Sequence, residues 1–376
     1  MSKNKKFVLV TGGAGYIGSV LVPLLLRRGY RVRVFDKLIF GAESLAPVAD
    51  QIEMVQGDVC DFDDGVLDDI DKVIHLAALS NDPTADFNPE ANLLINVEGT
   101  RNVANGCLRR KVGRFVLASS CSIYYSLNPY DGILTEESEI NPTAGYSLSK
   151  KLAEGLLREM VSPDFCPVFL RKGTVFGASP RMRYDLVVNA FARDAWDKGR
   201  LTVYAGGEMW RPLLHIDDAA EAYINSLELP AEVVRGQAFN VLHKNYRILE
   251  LAHWTKYVLR DKKHIEVDVM YQDGVSPRSY QVSGDKFRDV YGYVPPKGIA
   301  QSVMNLWNRF EKGTAVDFGN PEYYNIAWLK LLTAMQGRLA GMGDVFPTAS
   351  KPAAGTKTKK RKQQRSAARE EELQLT

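Results

Sequence analysis

The chain has 376 residues, of which 45% are hydrophobic and 25% charged, which suits one large α/β domain or two smaller ones. From Lys351 onward, eight Lys or Arg and three Glu give the tail a net charge of +5; because the whole chain has +3, the rest has −2. This excludes a nucleic-acid-binding body, since only the tail is basic. No stretch approaches the roughly 20 apolar residues of a membrane span, which excludes a membrane-spanning protein.

The cysteines are scattered and form no C-x-x-C pair: Cys60, Cys107, Cys121 and Cys166. This pattern favours a reducing compartment over a disulfide framework or a zinc site, and no metal is expected. The apolar run in "MSKNKKFVLVTGG" ends after four residues and is too short for a signal peptide. We therefore expect a cytoplasmic protein that contacts neither membrane nor nucleic acid.

In the first half, short β-branched runs alternate with segments of helical period. Strands are predicted at "KFVLV", "RVRVFD", "IEMVQGD", "KVIHLAA", "RFVLASS" and "VFLRKGTVFG". Helices are predicted at 17–28, near 90–110 and from about 146. Strands that alternate with helices indicate βαβ units and a parallel sheet that is buried on both faces.

After Gly177 the pattern becomes irregular. "GRLTVYAGGEMW" predicts a hairpin, and "QAFNVL" at 237–242 predicts a buried strand that returns to the sheet. Residues 246–345 have the pattern of helices and loops. From 346 the chain is small, charged and free of aromatic residues, which predicts a disordered tail.

The first predicted strand leads into a glycine turn in which Gly13, Gly15 and Gly18 fit G-x-G-x-x-G. Such a turn allows backbone atoms to approach a pyrophosphate at the N-terminus of the following helix. Asp36 ends the second strand, where a carboxylate accepts hydrogen bonds from a ribose 2′-hydroxyl and repels a 2′-phosphate. NAD is therefore predicted rather than NADP, although the neighbouring Lys37 weakens the exclusion.

These features predict an α/β protein with a Rossmann-type doubly wound parallel sheet and a smaller C-terminal substrate-binding domain. We place the NAD-binding domain at 1–177, with 212–245 returning to it. The substrate-binding domain is placed at 178–211 and 246–345, and the basic tail at 346–376.

Tyr146 and Lys150, in "AGYSLSK", are four residues apart and share one face of a predicted helix. Together with the glycine turn, this pair resembles the short-chain dehydrogenase/reductase superfamily, and more closely its extended branch, the nucleotide-sugar epimerases and dehydratases. The resemblance covers roughly residues 6–300. It rests on "TGGAGYIG", "GDVCD", "HLAA", "NVEGTRNV", "SSCSIYY", "YSLSK", "LRKGTVFG" and "RPLLHIDD".

An ammonium beside a phenol lowers the pKa of the phenol from about 10, so that Tyr146 can take and return a hydroxyl proton. The resemblance implies that Lys150 also holds the nicotinamide ribose and that Ser120 hydrogen-bonds the reacting oxygen. It implies further that NAD is held by the residues of these motifs: Gly12, Gly13, Gly15, Tyr16, Ile17, Gly18, Asp36, Asp58, Val59, Leu76, Ala77, Ala78, Asn96, Tyr146 and Lys150.

Cys121 and Ser122 occupy positions where similar dehydratases carry Asp-Glu and similar decarboxylases carry a Glu. Neither is a carboxylate, which disfavours water elimination and decarboxylation. Some members of the family use a cysteine of this loop as an acid or base, so Cys121 is either such a group or a buried bystander.

Substrate contacts are expected chiefly from the second half, where Arg211 and Arg278 match positions at which family arginines clamp the nucleotide diphosphate. Asn189 is a further candidate for a phosphate or a sugar hydroxyl. The complete predicted substrate set is Ser120, Cys121, Ser122, Asn189, Arg211 and Arg278.

The prediction is an NAD-dependent 4-epimerase of a nucleotide-diphosphate sugar, acting through a 4-keto intermediate. A homodimer through the helices near 90–110 and 146–160 is expected from the resemblance. Two alternatives stay open: an NAD(P)-dependent keto-sugar reductase or dehydrogenase with net redox change, and a non-catalytic dinucleotide-sensing protein. Thr174 and Tyr125 stand where the family usually has Asn and Gly, which leaves the identity of the sugar open.

Overall fold

The computed structural model describes residues 6–125, 132–274 and 279–342, the last four of these by their backbone only. Arg278 and the predicted tail at 346–376 lie outside the described residues. The chain divides into two compact units, Met1–Leu329 and Lys330–Thr376, and the first contains the whole parallel sheet and its cavity. No helix within the described ranges is long and apolar enough to cross a membrane.

The described strands, in chain order, are β1 (Phe7–Thr11), β2 (Arg31–Asp36), β3 (Glu53–Gln56), β4 (Lys72–His75), β5 (Arg114–Ser120), β6 (Ile133–Leu134), β7 (Cys166–Lys172), β8 (Thr174–Phe176), β9 (Arg200–Tyr204), β10 (Trp210–His215), β11 (Ala238–Val241), β12 (Lys244–Arg247), β13 (Asp268–Gln272) and β14 (Gln281–Val282). The six strands predicted in the first half correspond to β1–β5 and to β7 with β8.

The described helices are α1 (Gly18–Arg27), α2 (Asp82–Phe87), α3 (Pro89–Leu93), α4 (Gly99–Arg110), α5 (Gly145–Glu159), α6 (Val187–Lys198), α7 (Ile216–Glu228), α8 (Ala231–Val234), α9 (Ile248–Lys263), α10 (Asp285–Tyr291), α11 (Ile299–Glu311) and α12 (Asn325–Met342). The helix predicted near 90–110 is divided into α3 and α4 by a π-helical turn at Leu94–Glu98.

Seven strands form one parallel sheet in the order β11-β7-β5-β4-β1-β2-β3. Alternate residues of its strands face opposite sides, and both sides are buried. Val8 and Val10 pack into one apolar cluster, with α1 and α7, while Phe7 and Leu9 pack into another, with α4 and α5. The predicted doubly wound sheet with helices on both faces is confirmed.

The order of the strands reverses at β1, which pairs with β2 on one side and β4 on the other. In an open parallel sheet, the crevice at such a switch point, beyond the carboxyl ends of the strands, is where ligands bind. The residues that follow β1, β2, β4, β5 and β7 therefore meet at one edge.

The second half of the chain adds one strand to this sheet and builds smaller sheets beside it. β11 pairs with β7, so the predicted return of the chain to the sheet is confirmed. The predicted hairpin is wrong: β9 pairs in parallel with β13, whereas β10 lies between β8 and β12. The turn Ala205–Gly207 separates two strands that belong to different sheets, and only the distant partners decide this.

The glycine turn after β1 depends on two close approaches of backbone to backbone. Gly12 has φ +71°, and a Cβ there would lie 2.7 Å from the amide nitrogen of Ala77. A Cβ on Gly18 would lie 2.4 Å from the carbonyl oxygen of Gly13. Both positions require glycine, since the opposing atoms are backbone atoms that cannot move aside.

Gly18→Ala should lower the free energy of unfolding by roughly 1–3 kcal/mol, because the added methyl group overpacks the turn. Urea denaturation of the NAD-free protein measures this. The matched control is Gly155→Ala in α5, where, apart from the adjoining helix backbone, no atom of the described residues lies within 4 Å of an added Cβ. That change should stabilise the helix by up to about 1 kcal/mol. Equal stability of the Gly18 variant and the wild type would contradict the close approach.

Candidate active site

One elongated cavity lies along the carboxyl edge of the parallel sheet. Residues from the ends of β1, β2, β4, β5 and β7 line it, together with the first turn of α5. The predicted site residues that line the cavity are Gly12, Gly15, Tyr16, Ile17, Gly18, Asp36, Asp58, Val59, Leu76, Ala77, Ala78, Ser120, Ser122, Tyr146, Lys150 and Arg211.

At one end of the cavity, Asp36 is the last residue of β2 and faces the glycine turn. Its carboxylate accepts hydrogen bonds from the backbone N–H groups of Ala14 (3.0 Å) and Leu38 (2.8 Å). Burial raises the pKa of Asp36, and these two donors act against the rise. The carboxylate is thus fixed beside the turn, with lone pairs left for ribose hydroxyls.

Lys37 makes an ion pair with Asp58, at 2.6 Å. Burial by itself raises the pKa of Asp58, but the hydrogen bonds from Lys37 and from the backbone of Cys60 outweigh it, and the pKa is lowered. The ammonium of Lys37 is therefore engaged by a carboxylate of the cavity wall. Lys37 is therefore less able to attract a 2′-phosphate than the sequence suggests, and the preference of Asp36 for NAD is kept.

The turn after β1 is tied to the turn after β4 by a buried hydrogen-bond chain. The side chain of Thr11 contacts His75 Nδ1 at 2.8 Å, and His75 Nε2 contacts Thr100 Oγ1 at 3.1 Å. Burial lowers the pKa of His75 to about 3, so the imidazole is neutral at physiological pH. Asn96 closes the chain by accepting from Leu79 N–H and donating to Leu79 C=O.

The groups with chemical capacity gather at the other end of the cavity. Ser120 ends β5, while Tyr146 and Lys150 lie one turn apart at the start of α5. The ammonium of Lys150 lies 5.9 Å from the centre of the Tyr146 ring. The three side chains predicted to act together thus line one cavity, although they come from separate elements.

Lys150 is only 3% exposed and makes no ion pair with the described residues. Burial, with a smaller contribution from the charge of Lys172, lowers the pKa of Lys150 from 10.5 to about 7. The nearest buried carboxylate, on Glu154, is held by Arg171 at 2.7 Å and by Ser119. The ammonium of Lys150 is therefore available to a ligand.

Arg211 lines the cavity from β10. Its guanidinium donates to the carbonyl of Trp210 (2.8 Å) and lies 5.9 Å from the centre of the Tyr280 ring. These contacts hold a fork of donors at the cavity wall, an arrangement that suits a diphosphate.

Four predicted residues do not line the cavity. Cys121 is fully buried, and its thiol donates to the carbonyl of Arg171, so it cannot reach a substrate. Asn189 is also fully buried and bonds to Gly177 N, Tyr16 Oη and Arg183 C=O. These interpretations of Cys121 and Asn189 as substrate contacts are corrected: both side chains hold the protein's own backbone or side chains.

The other two residues act on the walls from behind. Asn96 is 1% exposed and positions the loop at Leu79. Gly13 faces Val34, where a Cβ would meet a methyl group at 2.7 Å, so it serves close packing between turn and sheet. Asn96 therefore positions a loop of the cavity wall, whereas contact of the Gly13 backbone with the cofactor stays a prediction.

The sequence reading missed wall residues from two segments. Arg181 lies within the irregular "SPRMR" stretch, stacks 3.7 Å from the centre of the Phe40 ring and donates to Asn325 Oδ1 at 2.6 Å. Asn325 and Leu329 line the cavity from the start of α12, and Trp328 donates to the carbonyl of Ile39 at 2.7 Å. No local sequence pattern predicts these contacts of the cavity wall, because the two contacting residues are up to 289 residues apart in the chain.

A further missed residue is Lys172, the last residue of β7, which pairs in register with Ser120. It lines the cavity, and its ammonium donates to the carbonyl of Ser119 at 2.8 Å. A sequence signal for this residue exists, because a lysine is unusual at the end of a largely apolar strand in a buried sheet and marks a position near the ligand edge.

Comparison with known proteins shows which protein family this chain is similar to. Residues 8–241 match the NAD dependent epimerase/dehydratase family. A dTDP-glucose 4,6-dehydratase of Streptomyces niveus is 30% identical over 227 residues, covering 57% of this chain and 67% of the relative. UDP-glucuronic acid decarboxylase 1 of Danio rerio is 26% identical over 319 residues, covering 82% and 74%.

Among solved structures, the UDP-glucuronic acid 4-epimerase from Bacillus cereus, in complex with UDP-glucuronic acid and NAD, has the same fold. Its TM-score is 0.70 at 23% identity, with 81% of this chain and 99% of that chain covered. The similar proteins include a dehydratase, a decarboxylase and an epimerase. Similarity therefore decides the family and not the reaction.

Lys150→Met should stabilise the NAD-free protein, because it removes a buried charge. Between pH 7 and 10.5 the unfolded chain binds a proton at this position and the folded chain does not, so the wild-type free energy of unfolding rises with pH through that window. The variant should lose this part of the slope and gain on the order of 1–3 kcal/mol at pH 7.

Urea denaturation at several pH values measures this, with Lys151→Met as the matched control from the adjacent position. An unchanged slope in the Lys150 variant would show that the ammonium is not desolvated in the folded protein.

Proposed function

Because the chain belongs to the NAD-dependent epimerase/dehydratase family and is an NAD-dependent enzyme of that family, we propose that it inverts C4 of a nucleoside-diphosphate sugar. The observation that carries the proposal is the convergence of Ser120, Tyr146 and Lys150 on one cavity whose other end has a glycine turn and Asp36. Such a constellation suits oxidation of a hydroxyl group followed by reduction of the resulting ketone.

The turn and the carboxylate fit the cofactor. Gly12 allows the turn to pack closely against the backbone of Ala77, and the N-terminal residues of α1 line the cavity, where they would face a bound pyrophosphate. Asp36 and Asp58 would accept hydrogen bonds from the adenosine half, and Lys150 would hold the nicotinamide ribose. When bound, NAD supplies a hydride acceptor that can return the hydride.

Tyr146 is the proposed acid and base. Its phenolate oxygen takes the proton of the C4 hydroxyl group as the sugar is oxidised, and returns it after the 4-keto sugar has turned over. Ser120 donates a hydrogen bond to the C4 oxygen in both directions. Lys150 stabilises the phenolate by its charge.

The composition of the wall favours this reaction over elimination or decarboxylation. The acidic residues that line the cavity in the described part of the chain, Asp36, Asp58 and Asp82, lie outside the Ser120–Ser122 segment. Glu154 is engaged by Arg171. The Ser120–Ser122 segment itself therefore supplies no carboxylate that could remove a proton from carbon.

Net oxidation or reduction of a keto-sugar is the second candidate, because it needs the same three residues. A sensing protein would not require the Tyr146–Lys150 pair. The distinction lies in the products: an epimerase interconverts two sugars without accumulating NADH, whereas a dehydrogenase accumulates NADH in proportion to product.

Tyr146→Phe should reduce turnover by on the order of 10²–10⁴-fold, because the proton acceptor is removed while the ring packing stays. NMR of the sugar products over time, with absorbance at 340 nm for NADH, measures both reactions. NAD affinity should change little, since the ring still fills its place on α5.

Lys151→Met is the control, expected to retain wild-type turnover. Near-wild-type activity of Tyr146→Phe would contradict the assignment of Tyr146. Stoichiometric NADH in the wild type would replace epimerisation with the redox alternative.

We propose further that the protein is a homodimer through α3–α5. Apolar side chains are exposed on this surface, among them Leu94 (49%), Leu148 (39%) and Leu152 (44%). Leu148 and Leu152 are four residues apart and share one face of α5, which packs against α3 and α4. A stripe of exposed leucines is typical of a surface that is covered by a second chain.

Leu152→Asp should convert the dimer into a monomer, because two carboxylates would be buried across a two-fold interface. Light scattering after size-exclusion chromatography measures the mass. Val294→Asp, at an apolar position that is 58% exposed elsewhere on the surface, should leave the mass of the dimer unchanged. A monomeric wild type would contradict the proposal.

A further inference from the structure

Lys172 places a second ammonium group beside the proposed catalytic residues. It ends β7 directly opposite Ser120 in the register of the sheet, and it lines the cavity. One of its N–H groups donates to the carbonyl of Ser119 at 2.8 Å. The ammonium has two further donors, and the carbonyl oxygen that it contacts bears no net charge.

The positive charge of Lys172 has no counterion within the described part of the chain. The buried carboxylate behind this wall belongs to Glu154, which makes a 2.7 Å ion pair with Arg171 and accepts from Ser119. Lys172 is partly buried, and a charge that is partly removed from water without a partner carries a desolvation cost. A ligand that brings an anion to this point would offset that cost.

A second, independent feature is found two residues after Ser120 in the chain. Ser122 lines the cavity and is 5% exposed, and its hydroxyl group has no hydrogen-bond partner among the described residues. A buried hydroxyl group without a partner is destabilising, because it has lost its hydrogen bonds to water and gained none in exchange. It therefore points, like Lys172, to a polar group of a ligand at the Ser120 end of the cavity.

The position decides where on the ligand this group is. The cofactor's pyrophosphate belongs at the glycine turn, and Arg211 offers a fork for the diphosphate of the substrate. The carbon that reacts must lie within reach of Tyr146 and Ser120. An anion that reaches Lys172 beside Ser120 must therefore be carried by the sugar ring itself.

We infer that Lys172 and Ser122 bind a carboxylate on the sugar, so that the substrate is a nucleoside-diphosphate uronate and not a neutral nucleoside-diphosphate hexose. The inference rests on the proposed function, since it assumes a nucleotide sugar in this cavity. Lys172 supplies a positive charge. Ser122 supplies a hydrogen bond, which is stronger to the carboxylate of a uronate than to the hydroxymethyl group of a neutral hexose.

Binding, measured separately from turnover, tests the inference. The Tyr146→Phe protein, saturated with NAD, is titrated by calorimetry with UDP-glucuronate and UDP-glucose, and with the corresponding dTDP pair. The uronate should bind at least tenfold more tightly than the neutral sugar with the same base. Adding Lys172→Met should weaken uronate binding at least tenfold and neutral-sugar binding less than threefold.

Two further variants keep the test decisive. Ser122→Ala should reduce the preference for the uronate by a smaller factor, and it serves if the Lys172 variant does not fold. Lys151→Met should leave the preference unchanged. Retained NAD binding shows that each variant has an intact cavity.

The outcomes separate the inference from the proposed function. Equal affinity for uronate and neutral sugar, or an equal loss of both in the Lys172 variant, overturns the inference while the proposed function stands. Absence of binding by any of the four nucleotide sugars overturns both. Collapse of the preference in Lys172→Met alone supports both.

Discussion

Parallel pairing of β1 with β2 on one side and β4 on the other is the constraint on which the remaining structure depends. It brings the carboxyl ends of the strands to one edge, so that the residue after each strand becomes a wall residue of the same cavity. The register of β5 and β7 then sets Ser120 beside Lys172 without any contact between their side chains being needed. Chemistry is positioned here by backbone hydrogen bonds.

The charged residues behind the cavity wall differ from two of those that line the cavity. Behind the wall, Arg171 and Glu154 neutralise one another, and Tyr124 accepts a further hydrogen bond from the guanidinium. Inside, Lys150 and Lys172 face the cavity without carboxylate partners among the described residues. Paired charges fix the protein's own elements, whereas unpaired charges bias the cavity towards anionic or electron-rich ligands.

Local patterns were sufficient for features that depend on local geometry. The strand–turn–helix at Gly12–Gly18, the position of Asp36 and the four-residue spacing of Tyr146 and Lys150 could all be predicted. The failures involve distant partners. The chain after Tyr204 forms no hairpin, because β9 pairs with β13 instead. The residues of the turn do not determine that pairing.

The same limit explains the errors at the site. Cys121 directly follows Ser120 in the sequence. The side chain of Ser120 nevertheless lines the cavity, whereas that of Cys121 is buried in the core. Asn189 is of a residue type that often binds ligands, but its amide group makes hydrogen bonds with Tyr16 Oη and the backbone N–H of Gly177. Which polar group is already used by the protein is a tertiary property. Lys172 differs from these two residues, because its ammonium faces the cavity and binds only one carbonyl oxygen of the described residues.

The start of α12 has a consequence for the order in which the cavity is made. Asn325 and Leu329 complete the wall near Phe40, and the Trp328 bond to Ile39 spans 289 residues of sequence. Ribosomes release the chain from its N-terminus, so the sheet and the glycine turn emerge well before these residues exist. During synthesis the adenosine side of the cavity is an open cleft, and it acquires this part of its wall only after Asn325–Leu329 have left the ribosome.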